Sequence, residues 1–595
     1  MTGSTAGSRE ELLEPLRRTL SWLASMRDGQ GRIVCDEHRI EHTGKSAGAA
    51  LLATCLWRHD AEEYRPAYFD LAVQQGRRMV ANLHREGTSP CHTFWPGRHD
   101  PFNNSNHVID GGAISDALAE LVLVFGERLE AADREAFAHA SLLHARTYLR
   151  YAANDKGIPA QRAWGLSGLA AACALERDVE LEAAAIEAVG GLEAIQNADG
   201  SFPYHPVEWG AENAGAADAS SFYHARIPGF LLFALERLGR DPADPLFADA
   251  LRGALRFAAA LQGPDGLKCG LVEAKPWYWG AEYEVASHPF DVFALARGGE
   301  VFAEPRWTAA ALRAFRAWAR HLGPEGRPAS HLPAAGRGRS YQCPLFWAAH
   351  ASWIARALPE LLRARDAERP VSAAGGLELS VLAFHDAGLA RLEDDRVVAW
   401  VRGLRAPYNV HHGSPHGGLL RVVRKADGAE LVRRERLAHR QEGEWSGWSG
   451  GFAPRRGWRT CGREGRFSLW LARNHWRCGR PREALAAPLG VARRGLVAFS
   501  SAEASSAFHL GGAFDCGPAG VRQTSGLAWR GGDPVAGVTC ERSFAVDGDG
   551  LRVVERLRGA GALRGLEYVL PEAATEVSAP AGAAGDEREV SYRLC

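Results

Sequence analysis

The segment Gln196–Leu238, QNADGSFPYHPVEWGAENAGAADASSFYHARIPGFLLFALERL, joins the end of one helix to the start of the next through a long polar loop. Its Asp199-Gly200 pair is typical of a turn that requires positive φ. From Ile227 onward, apolar residues recur at helical spacing and predict a helix with one buried face. Pro228 lacks an N–H and is tolerated only in a first turn, so we expect the regular helix to begin near it.

Three chemically active side chains fall where this helix begins. Tyr223, His224 and Arg226 bring a phenol, an imidazole and a guanidinium to the mouth of the helix, and Tyr204 lies in the loop before them. The alternative for Tyr223 is a core tyrosine whose hydroxyl is hydrogen-bonded. We predict that Tyr223, His224 and Arg226 are catalytic and that Tyr204 contacts the substrate.

A helix followed by a glycine turn recurs in the first 365 residues, which contain about a dozen amphipathic segments. The recurring unit is found at Leu23–Gly31 (LASMRDGQG), Leu192–Phe202 (LEAIQNADGSF) and Leu261–Gly270 (LQGPDGLKCG). Repeats of one supersecondary unit indicate helical hairpins stacked side by side. Six such hairpins would close into an (α/α) toroid, with one set of loops lining a central cleft.

The hydrophobic period changes after residue 365. Residues 366–376 are polar and contain Pro, Ala and Gly, which is typical of a linker. Residues 377–595 alternate apolar and charged residues over short segments such as RVVAWVRGL and LRVVERLRG, the pattern of half-buried strands. The predicted fold is therefore multidomain α and β: an N-terminal (α/α)6-type toroid over 1–365 and an antiparallel β-sandwich over 377–595.

Composition and charge limit the partners. The formal net charge of −1 provides no general attraction for nucleic acid or an anionic membrane, so an acidic partner must be bound by a local cleft. The oligomeric state is not indicated. The eleven cysteines contain no CxxC pair and are typical of reduced buried thiols. No apolar signal segment opens the sequence, so we expect a cytoplasmic protein by default, or a secreted or periplasmic one if it is processed or exported otherwise.

A second polar cluster precedes the helix predicted at 110–126. The sequence FNNSNHVIDGG at 102–112 includes Asn103, Asn104, Asn106 and His107. Helix N-termini have unpaired N–H groups that favour negative charge, and Asn side chains add further donors. Helix capping is the alternative, although it needs only one such residue. We predict that Asn106 and His107 are catalytic and that Asn103 and Asn104 bind substrate.

Aromatic and histidine side chains supply the remaining candidate substrate contacts. The segment KPWYWGAEYE at 275–284 is too aromatic and too polar for a simple connection. Flat aromatic faces suit sugar rings, and the alternative is aromatic packing between the two domains. The candidates are Trp95, Trp277, Tyr278, Trp279, Tyr283, His288, Tyr341, His412 and His416.

These motifs resemble those of the heparinase II/III-type polysaccharide lyases, in which an (α/α) toroid precedes an antiparallel β-sandwich. The similar elements are Asn106-His107 before a helix, Asp199-Gly200-Ser201 followed by Tyr223-His224, and the histidine-rich stretch YNVHHGSPHGG at 408–418. In the family an Asp, often tied to a metal, usually follows these histidines, whereas Gly417 and Gly418 stand there in this chain.

The resemblance implies β-elimination on a uronic-acid polysaccharide, glycosaminoglycan-like or alginate-like, with a 4,5-unsaturated uronyl product. The C5 proton of a uronate is weakly acidic, so the carboxylate must be neutralised or hydrogen-bonded before a base removes that proton and an acid protonates O4. Asn106 and Arg226 suit the first task. Tyr223 suits the acid, and also the base of a syn elimination if nearby cations lower its pKa. His107 is the alternative base, and we expect these four residues to converge in one cleft with loop 275–284 on its wall.

Two questions stay open at this level. The HHxxxH pattern of His411, His412 and His416 is compatible with zinc binding or with substrate contact. The elimination itself needs no cofactor. A structural zinc or calcium ion is an alternative, and no metal ligand is assigned.

The function has two alternatives, a glycoside hydrolase on the same toroid and a non-catalytic glycan-binding or assembly protein. A hydrolase needs two carboxylates flanking the bond, and the candidates are Asp110, Asp116, Glu208, Glu212, Glu282 and Glu284.

Overall fold

The computed structural model describes 4–35, 41, 43–83, 105–204, 219–269, 285–328, 344–367, 380–403, 418–433, 447–449, 451–453, 469, 472–473, 476, 481–482, 484–486, 489, 502–505, 513–518, 520–529, 534–561, 563, 565–578 and 586–595. These residues form two compact units, one helical and one built on strands from residue 372 onward. The predicted linker overlaps residues 368–379, which lie outside the described ranges, so the domain boundaries stay predictions.

The described helices occupy the first part of the chain. They are α1 (Ser4–Ser25), α2 (Thr43–His59), α3 (Arg65–Ala81), α4 (Ser105–Phe125), α5 (Ala131–His144), α6 (Arg150–Asp155), α7 (Pro159–Cys173), α8 (Val179–Glu193), α9 (Ser221–His224), α10 (Arg226–Arg237), α11 (Pro245–Ala260), α12 (His288–Val301), α13 (Pro305–Arg320), α14 (Pro344–Ala349), α15 (Ala351–Arg356) and α16 (Leu358–Ala367). The sequence predicts one helix over 343–363, where the structure has three consecutive short helices.

Six of the described helices form an inner ring. Each packs against the next in the order α2, α4, α7, α10, α12 and α15, and α15 packs against α2. These helices are buried on nearly all sides; in α7 only Arg162 is not buried. A helix that is apolar all round belongs in the interior of a protein, which explains their place in the ring.

An outer layer of amphipathic helices surrounds this ring, with α3, α8, α11 and α13 each paired to an inner helix. The first helix packs against the last, α1 against α16. Glu11 of α1 lies 3.1 Å from Arg316 Nε of α13 and 2.9 Å from Arg365 Nε of α16. The start of the chain therefore meets the end of the helical unit, and the predicted (α/α)6-type toroid is confirmed.

The glycine turn occurs four times in the described residues, once more than the sequence analysis identified. In each turn the N–H of the first residue donates to the carbonyl oxygen four residues on, and the carbonyl oxygen of the first residue accepts from the N–H of the fourth. In the third turn the Gly263 N–H donates to the Leu267 carbonyl oxygen at 2.7 Å, and the Gly266 N–H donates to the Gly263 carbonyl oxygen at 3.0 Å. The fourth residue is always a glycine with positive φ: Gly31, Gly200, Gly266 and Gly326. A Cβ at Gly266 would overlap the Arg313 carbonyl of α13, and one at Gly326 would overlap the backbone of α1 at Arg18. The turn after one outer helix thus docks on the next outer helix, and the Gly326 turn does so across the point where the ring closes.

One end of the inner ring carries ion pairs whose carboxylates are buried. Asp116 of α4 lies 2.8 Å from Arg356 Nη2 at the end of α15, and both side chains are buried. Glu120 pairs with Arg58 at 3.3 Å and with Arg237, near the C-terminal ends of α2 and α10. Burial raises the pKa of Asp116 despite its arginine partner. This end of the ring is therefore filled by structural charge pairs.

The second unit is built from antiparallel strands. They are β1 (Ser380–Phe384), β2 (Leu389–Glu393), β3 (Val397–Arg402), β4 (Gly418–Arg424), β5 (Glu430–Arg433), β6 (Gly447–Ser449), β7 (Gly451–Ala453), β8 (Ala502–Ser505), β9 (Ala513–Gly517), β10 (Gly520–Ser525), β11 (Ala528–Trp529), β12 (Thr539–Val546), β13 (Leu551–Arg558), β14 (Glu567–Val569), β15 (Thr575–Ser578) and β16 (Glu587–Leu594).

Two larger sheets share one core, as a sandwich requires. One has the order β1-β2-β3-β4-β5 and the other β15-β16-β13-β12-β10-β9, with all registered pairs antiparallel. Val397 and Val422 of the first sheet belong to the same buried cluster as Phe544 and Val553 of the second. The predicted antiparallel β-sandwich is confirmed, although a strand predicted at 467–474 is wrong where it is described, because Leu469, Ala472 and Arg473 are helical.

Two further findings bear on the sequence expectations. Most of the cysteines in the described ranges are buried. Within those ranges no helix combines the length and apolar character needed to cross a membrane.

Candidate active site

The N-terminal ends of the inner helices meet at the end of the ring opposite the ion pairs. Lys45 is the third residue of α2, Asp110 follows the first turn of α4, Arg226 opens α10 and Phe290 is the third residue of α12. Lys45, Arg226 and Phe290 contact Trp164 of α7, and Asp110 pairs with Lys45. Helix N-termini present unpaired N–H groups and favour negative charge, so this end of the ring is suited to an anionic ligand.

Trp164 occupies the centre of the group. The centroid of its indole lies 5.5 Å from that of the Phe290 side chain and 5.7 Å from that of the His350 imidazole. His350 precedes α15, which lies opposite α7 in the inner ring of helices. Lys45 Nζ and Arg226 Cζ lie 5.8 Å and 5.5 Å from the same ring. The two cations therefore contact the same indole, and the attraction between a cation and an aromatic face stabilises this arrangement.

Lys45 is one of these buried cations. Its Nζ lies 3.3 Å from Asp110 Oδ1 and 4.0 Å from the centroid of the Phe346 ring. A Cβ at Gly44 would overlap the Asp110 carboxylate, so glycine at that position lets α2 and α4 approach closely enough to form the pair. Only 3% of Lys45 is exposed, and such a charge needs a partner in the interior.

Arg226 is the second buried cation. Its Nη1 donates to the carbonyl oxygen of Phe222 at 2.9 Å, and its Cζ lies 3.8 Å above the Phe222 ring and 5.0 Å from that of Phe290. The donor bond to the preceding turn and the surrounding rings hold the guanidinium at the mouth of α10. Arg226 therefore lies at the start of α10, and its catalytic role stays a prediction.

Tyr223 differs from its neighbours in exposure. Phe222 and His224 are buried, whereas Tyr223 is partly exposed. Its ring lies 4.7 Å from that of Tyr204, and Arg226 Cζ lies 5.4 Å from its centroid. A phenol that is accessible and next to a buried cation is suited to proton transfer, because a nearby positive charge favours the phenolate.

His107 lies one turn before Asp110 on α4 and is buried. Its ring is 6.1 Å from that of Tyr148, which is 5.5 Å from the ring of His144. The Lys45–Asp110 pair and the contacts of Trp164 connect this helix to Arg226 and Tyr223. His107 thus lies on α4, and Tyr223 and Arg226 lie on α9 and α10, with α7 between α4 and α10 in the inner ring. Their convergence in one cleft stays a prediction. Asn106 is in the first turn of α4 by its backbone, and its side chain lies outside the described part of the structure.

Two predicted histidines hold helices together instead of facing this group. His224 Nε2 lies 2.9 Å from the Ala254 carbonyl oxygen of the outer helix α11, and its ring packs against Phe257 at 4.7 Å. His288 Nε2 lies 3.0 Å from the carbonyl oxygen of Gly266 in the third glycine turn. These contacts give both side chains an anchoring role, and the catalytic role of His224 and the substrate contact of His288 stay predictions.

The other predicted contacts fall outside the described residues. These residues precede helices α4, α12 and α14 in the sequence, and the remaining two precede strand β4. Trp95, Asn103, Asn104, Trp277, Tyr278, Trp279, Tyr283, Tyr341, His412 and His416 stay predictions, as does the place of loop 275–284 on the wall of the cleft. Within the described ranges, no group of three or more His, Cys, Asp or Glu side chains is arranged to hold a metal ion.

His350, which the sequence prediction missed, belongs to this group. It is 3% exposed and lies between α14 and α15, with its ring 4.5 Å from Phe346 and 4.7 Å from Phe290. Its Nε2 has no hydrogen-bond partner among the described residues, an arrangement that costs roughly 1–3 kcal/mol. A polar side chain inside the apolar run PLFWAAHASWI is the signal that points to it in the sequence.

Comparisons with known proteins give the fold a context. No protein-family model matches the sequence, and no curated protein matches it. Similar solved structures include the Streptomyces coelicolor A3 chondroitin AC lyase, at 13% identity and TM-score 0.46, covering 98% of this chain and 77% of that chain. They also include a family 88 glycosyl hydrolase from Bacteroides vulgatus, at 12% and 0.43, covering 60% and 99%, and cellobiose 2-epimerase from Spirochaeta thermophila, at 14% and 0.40, covering 62% and 98%. Likeness at this level carries no argument about the reaction.

Proposed function

We propose that this protein is a carbohydrate-active enzyme, a polysaccharide lyase that cleaves a uronic-acid-containing glycan by β-elimination. The observation that carries the proposal is the partly exposed Tyr223 phenol beside the buried Arg226 guanidinium, at the end of the toroid where the inner helices begin. Lys45 adds a second cation at the floor of the same group. An acidic sugar is the carbohydrate that such a site favours.

The reaction divides into tasks that these side chains suit. Arg226, with Asn106 of α4, stabilises the negative charge that develops on the uronate carboxylate. A base then removes the C5 proton, the C4–O4 bond breaks with its electron pair going to O4, and an acid protonates that oxygen. Tyr223 serves as acid, and as base when both events occur on one face of the sugar. His107 is the base when they occur on opposite faces.

The hydrolase alternative has weaker support from the same geometry. A hydrolase needs one carboxylic acid and one carboxylate on either side of the scissile bond. Asp110 is engaged with Lys45, and Asp116 is paired with Arg356 near the other end of the ring. The remaining candidates, at 208, 212, 282 and 284, lie outside the described residues.

The experiment is a screen of acidic glycans, including glycosaminoglycans, alginate and polygalacturonate, with a neutral glucan as control. A lyase forms a 4,5-unsaturated uronyl end, so ultraviolet absorbance should rise together with new reducing ends on an acidic glycan alone. New reducing ends without absorbance would identify a hydrolase and contradict the proposal. Binding without either signal would identify a non-catalytic glycan-binding protein.

A further inference from the structure

The hydrogen-bonding state of His350 is set by its neighbour. Its Nδ1 lies 3.3 Å from the carbonyl oxygen of Ala286. A carbonyl oxygen only accepts, so Nδ1 carries the proton and Nε2 is the unprotonated, accepting nitrogen. Nε2 is buried and has no partner within the described part of the chain.

The surroundings keep this imidazole neutral. Burial, followed by the positive charges of Lys45 and Arg226, lowers the pKa of His350 well below its ordinary value. The rings of Phe346, Phe290 and Trp164 pack around it. The result is an accepting nitrogen that lacks a donor, held within electrostatic reach of two cations.

This combination matches a specific ligand chemistry. The two cations attract an anionic group, and the neutral nitrogen requires a hydroxyl or another donor close to that group. A uronate has both, because its ring hydroxyls lie next to the carbon that bears the carboxylate. A simple carboxylate supplies the charge and leaves the nitrogen without a partner, which is unfavourable in a buried position.

We propose that His350 is a specificity residue whose Nε2 accepts a hydrogen bond from a ring hydroxyl of the sugar whose carboxylate is bound by Arg226 and Lys45. The inference rests on the proposed function in taking that sugar to be a uronate. It assigns His350 no part in moving the C5 proton. Its role is to distinguish hydroxylated carboxylates from other anions.

The test compares two monomeric ligands by calorimetry, glucuronate or galacturonate against cyclohexanecarboxylate, which has a carboxylate on a six-membered ring without hydroxyls. The wild-type protein should prefer the uronate. His350→Leu should weaken uronate binding by about tenfold and change cyclohexanecarboxylate binding by less than about twofold. His350→Gln, which can place an accepting oxygen near Nε2, should keep most of the preference.

His321→Leu is the matched control. His321 directly follows outer helix α13, and its Nδ1 is 2.8 Å from the carbonyl oxygen of Ala317, so its removal should leave the preference unchanged. Equal preference in wild type and His350→Leu would overturn the inference, and so would a wild-type protein that binds neither ligand.

A measurement on the unmodified protein covers the case in which His350→Leu does not fold. In a 15N spectrum of the histidine side chains, with His350→Gln used for assignment, the Nε2 signal should move towards the hydrogen-bonded position when uronate is added. An unmoved signal would overturn the inference. Neither assay needs turnover, so a protein that prefers uronate without forming unsaturated product would contradict the lyase proposal and leave the His350 subsite standing.

Discussion

At the scale of single residues, Tyr223 and Arg226 lie three positions apart and differ in exposure, so each suits a different task in the proposed reaction. Arg226 is buried and held by the Phe222 carbonyl, so its charge stays in place during a reaction. Tyr223 keeps part of its surface exposed, so a substrate can reach its hydroxyl. A fixed charge next to an accessible acid is the arrangement that elimination beside a carboxylate requires.

The first prediction concerns the Tyr223 hydroxyl. Tyr223→Phe keeps the ring and its contact with Tyr204 and removes the hydroxyl that transfers the proton in the proposed reaction. We expect the elimination rate to fall by roughly 10²–10⁴-fold, with little change in melting temperature or glycan affinity. Initial rates and thermal unfolding measured on the same preparation check this.

Tyr68→Phe is the control for that variant. Tyr68 is buried outside the site and donates to Asp60 Oδ2 at 2.6 Å, so its loss should lower stability by about 1.5–3 kcal/mol and leave the rate unchanged. A Tyr223→Phe protein that still eliminates at the wild-type rate would shift the acid–base role to His107.

The second prediction concerns the dependence of stability on pH. Burial and the charges of Lys45 and Arg226 lower the pKa of His350, so the unfolded chain binds a proton more readily than the folded protein. Stability from this residue is complete above the unfolded pKa of about 6.5 and declines as pH falls below it. Melting temperatures between about pH 8 and 5 should therefore fall less in His350→Gln than in wild type.

His59 also has a pKa lowered by burial, but it is present in both proteins and cancels in the difference. Parallel curves for wild type and His350→Gln would show that the imidazole is protonated in the folded state at little cost, contrary to this prediction.

Sequence patterns located some of these residues and missed others for physical reasons. Tyr223 and Arg226 were found because Pro228 limits where a regular helix can begin. His224 and His288 carry the same functional groups, yet their role depends on which neighbour they face, and that is set by the packing of outer helices. His350 stands alone in an apolar run, where a histidine is ordinarily a core residue, and its unpaired nitrogen is visible only in three dimensions.

At the scale of elements, the four described glycine turns share a glycine with positive φ at their fourth residue, but they do not share the Asp-Gly pair. The Asp-Gly pair marks the third and fourth residues in the turns that end at Gly200 and Gly266. In the first turn the pair is Asp28-Gly29, whereas the residue with positive φ is Gly31. In the fourth turn Glu325 precedes Gly326. Helix periodicity and the Asp-Gly signal thus identify the repeat in part, and the fourth member emerges from its backbone hydrogen bonds.

The third prediction separates the two reasons for glycine in these turns. Gly266 has φ of +85°, and an added Cβ would also overlap the Arg313 carbonyl, whereas Gly239 has φ of +66° with nothing within 4 Å of that Cβ. Gly239→Ala should cost about 1–2 kcal/mol for the left-handed backbone. Gly266→Ala should cost about 1–3 kcal/mol more for the overlap.

Chemical denaturation of both variants measures this difference. Equal losses would mean that α13 moves aside without cost and that the turn does not dock tightly on it. Neither substitution touches the proposed site, so turnover per folded molecule should be retained in both.

At the scale of the whole helical unit, the two ends of the inner ring carry different groups of side chains. At one end Arg356 pairs with Asp116, and Arg58 and Arg237 pair with Glu120. At the other end lie Tyr223, Arg226 and Lys45, and the two cations contact the Trp164 indole. Substitutions at the first end should act on stability, and substitutions at the second on turnover.

The fourth prediction tests this division. Asp116→Asn leaves the buried Arg356 charge without its counter-charge and should lower the free energy of unfolding by about 3–5 kcal/mol. Elimination per folded molecule should stay near that of the wild type. Denaturant unfolding and initial rates at a temperature where the variant is folded provide the two numbers.

Asp133→Asn is the matched control, because Asp133 pairs with the half-exposed Arg77 at 2.6 Å and its loss should cost less than about 1 kcal/mol. Replacing both Asp116 and Arg356 by Leu and Met should recover much of the stability lost in Asp116→Asn. A large loss of turnover in folded Asp116→Asn would place this carboxylate in the reaction and favour the hydrolase.

The junction of α1 with α16 also has a consequence for how the protein is made on the ribosome. The first helix leaves the exit tunnel long before its neighbour at 358–367 has been synthesised, and at about 5–20 residues per second the delay is on the order of half a minute. During that interval Leu12, Leu16 and Leu23, which are buried in the finished ring, have no partner from the last hairpin. The nascent chain therefore has an open arc with an uncovered apolar edge, and a chaperone that covers this edge would act before the Gly326 turn reaches Arg18.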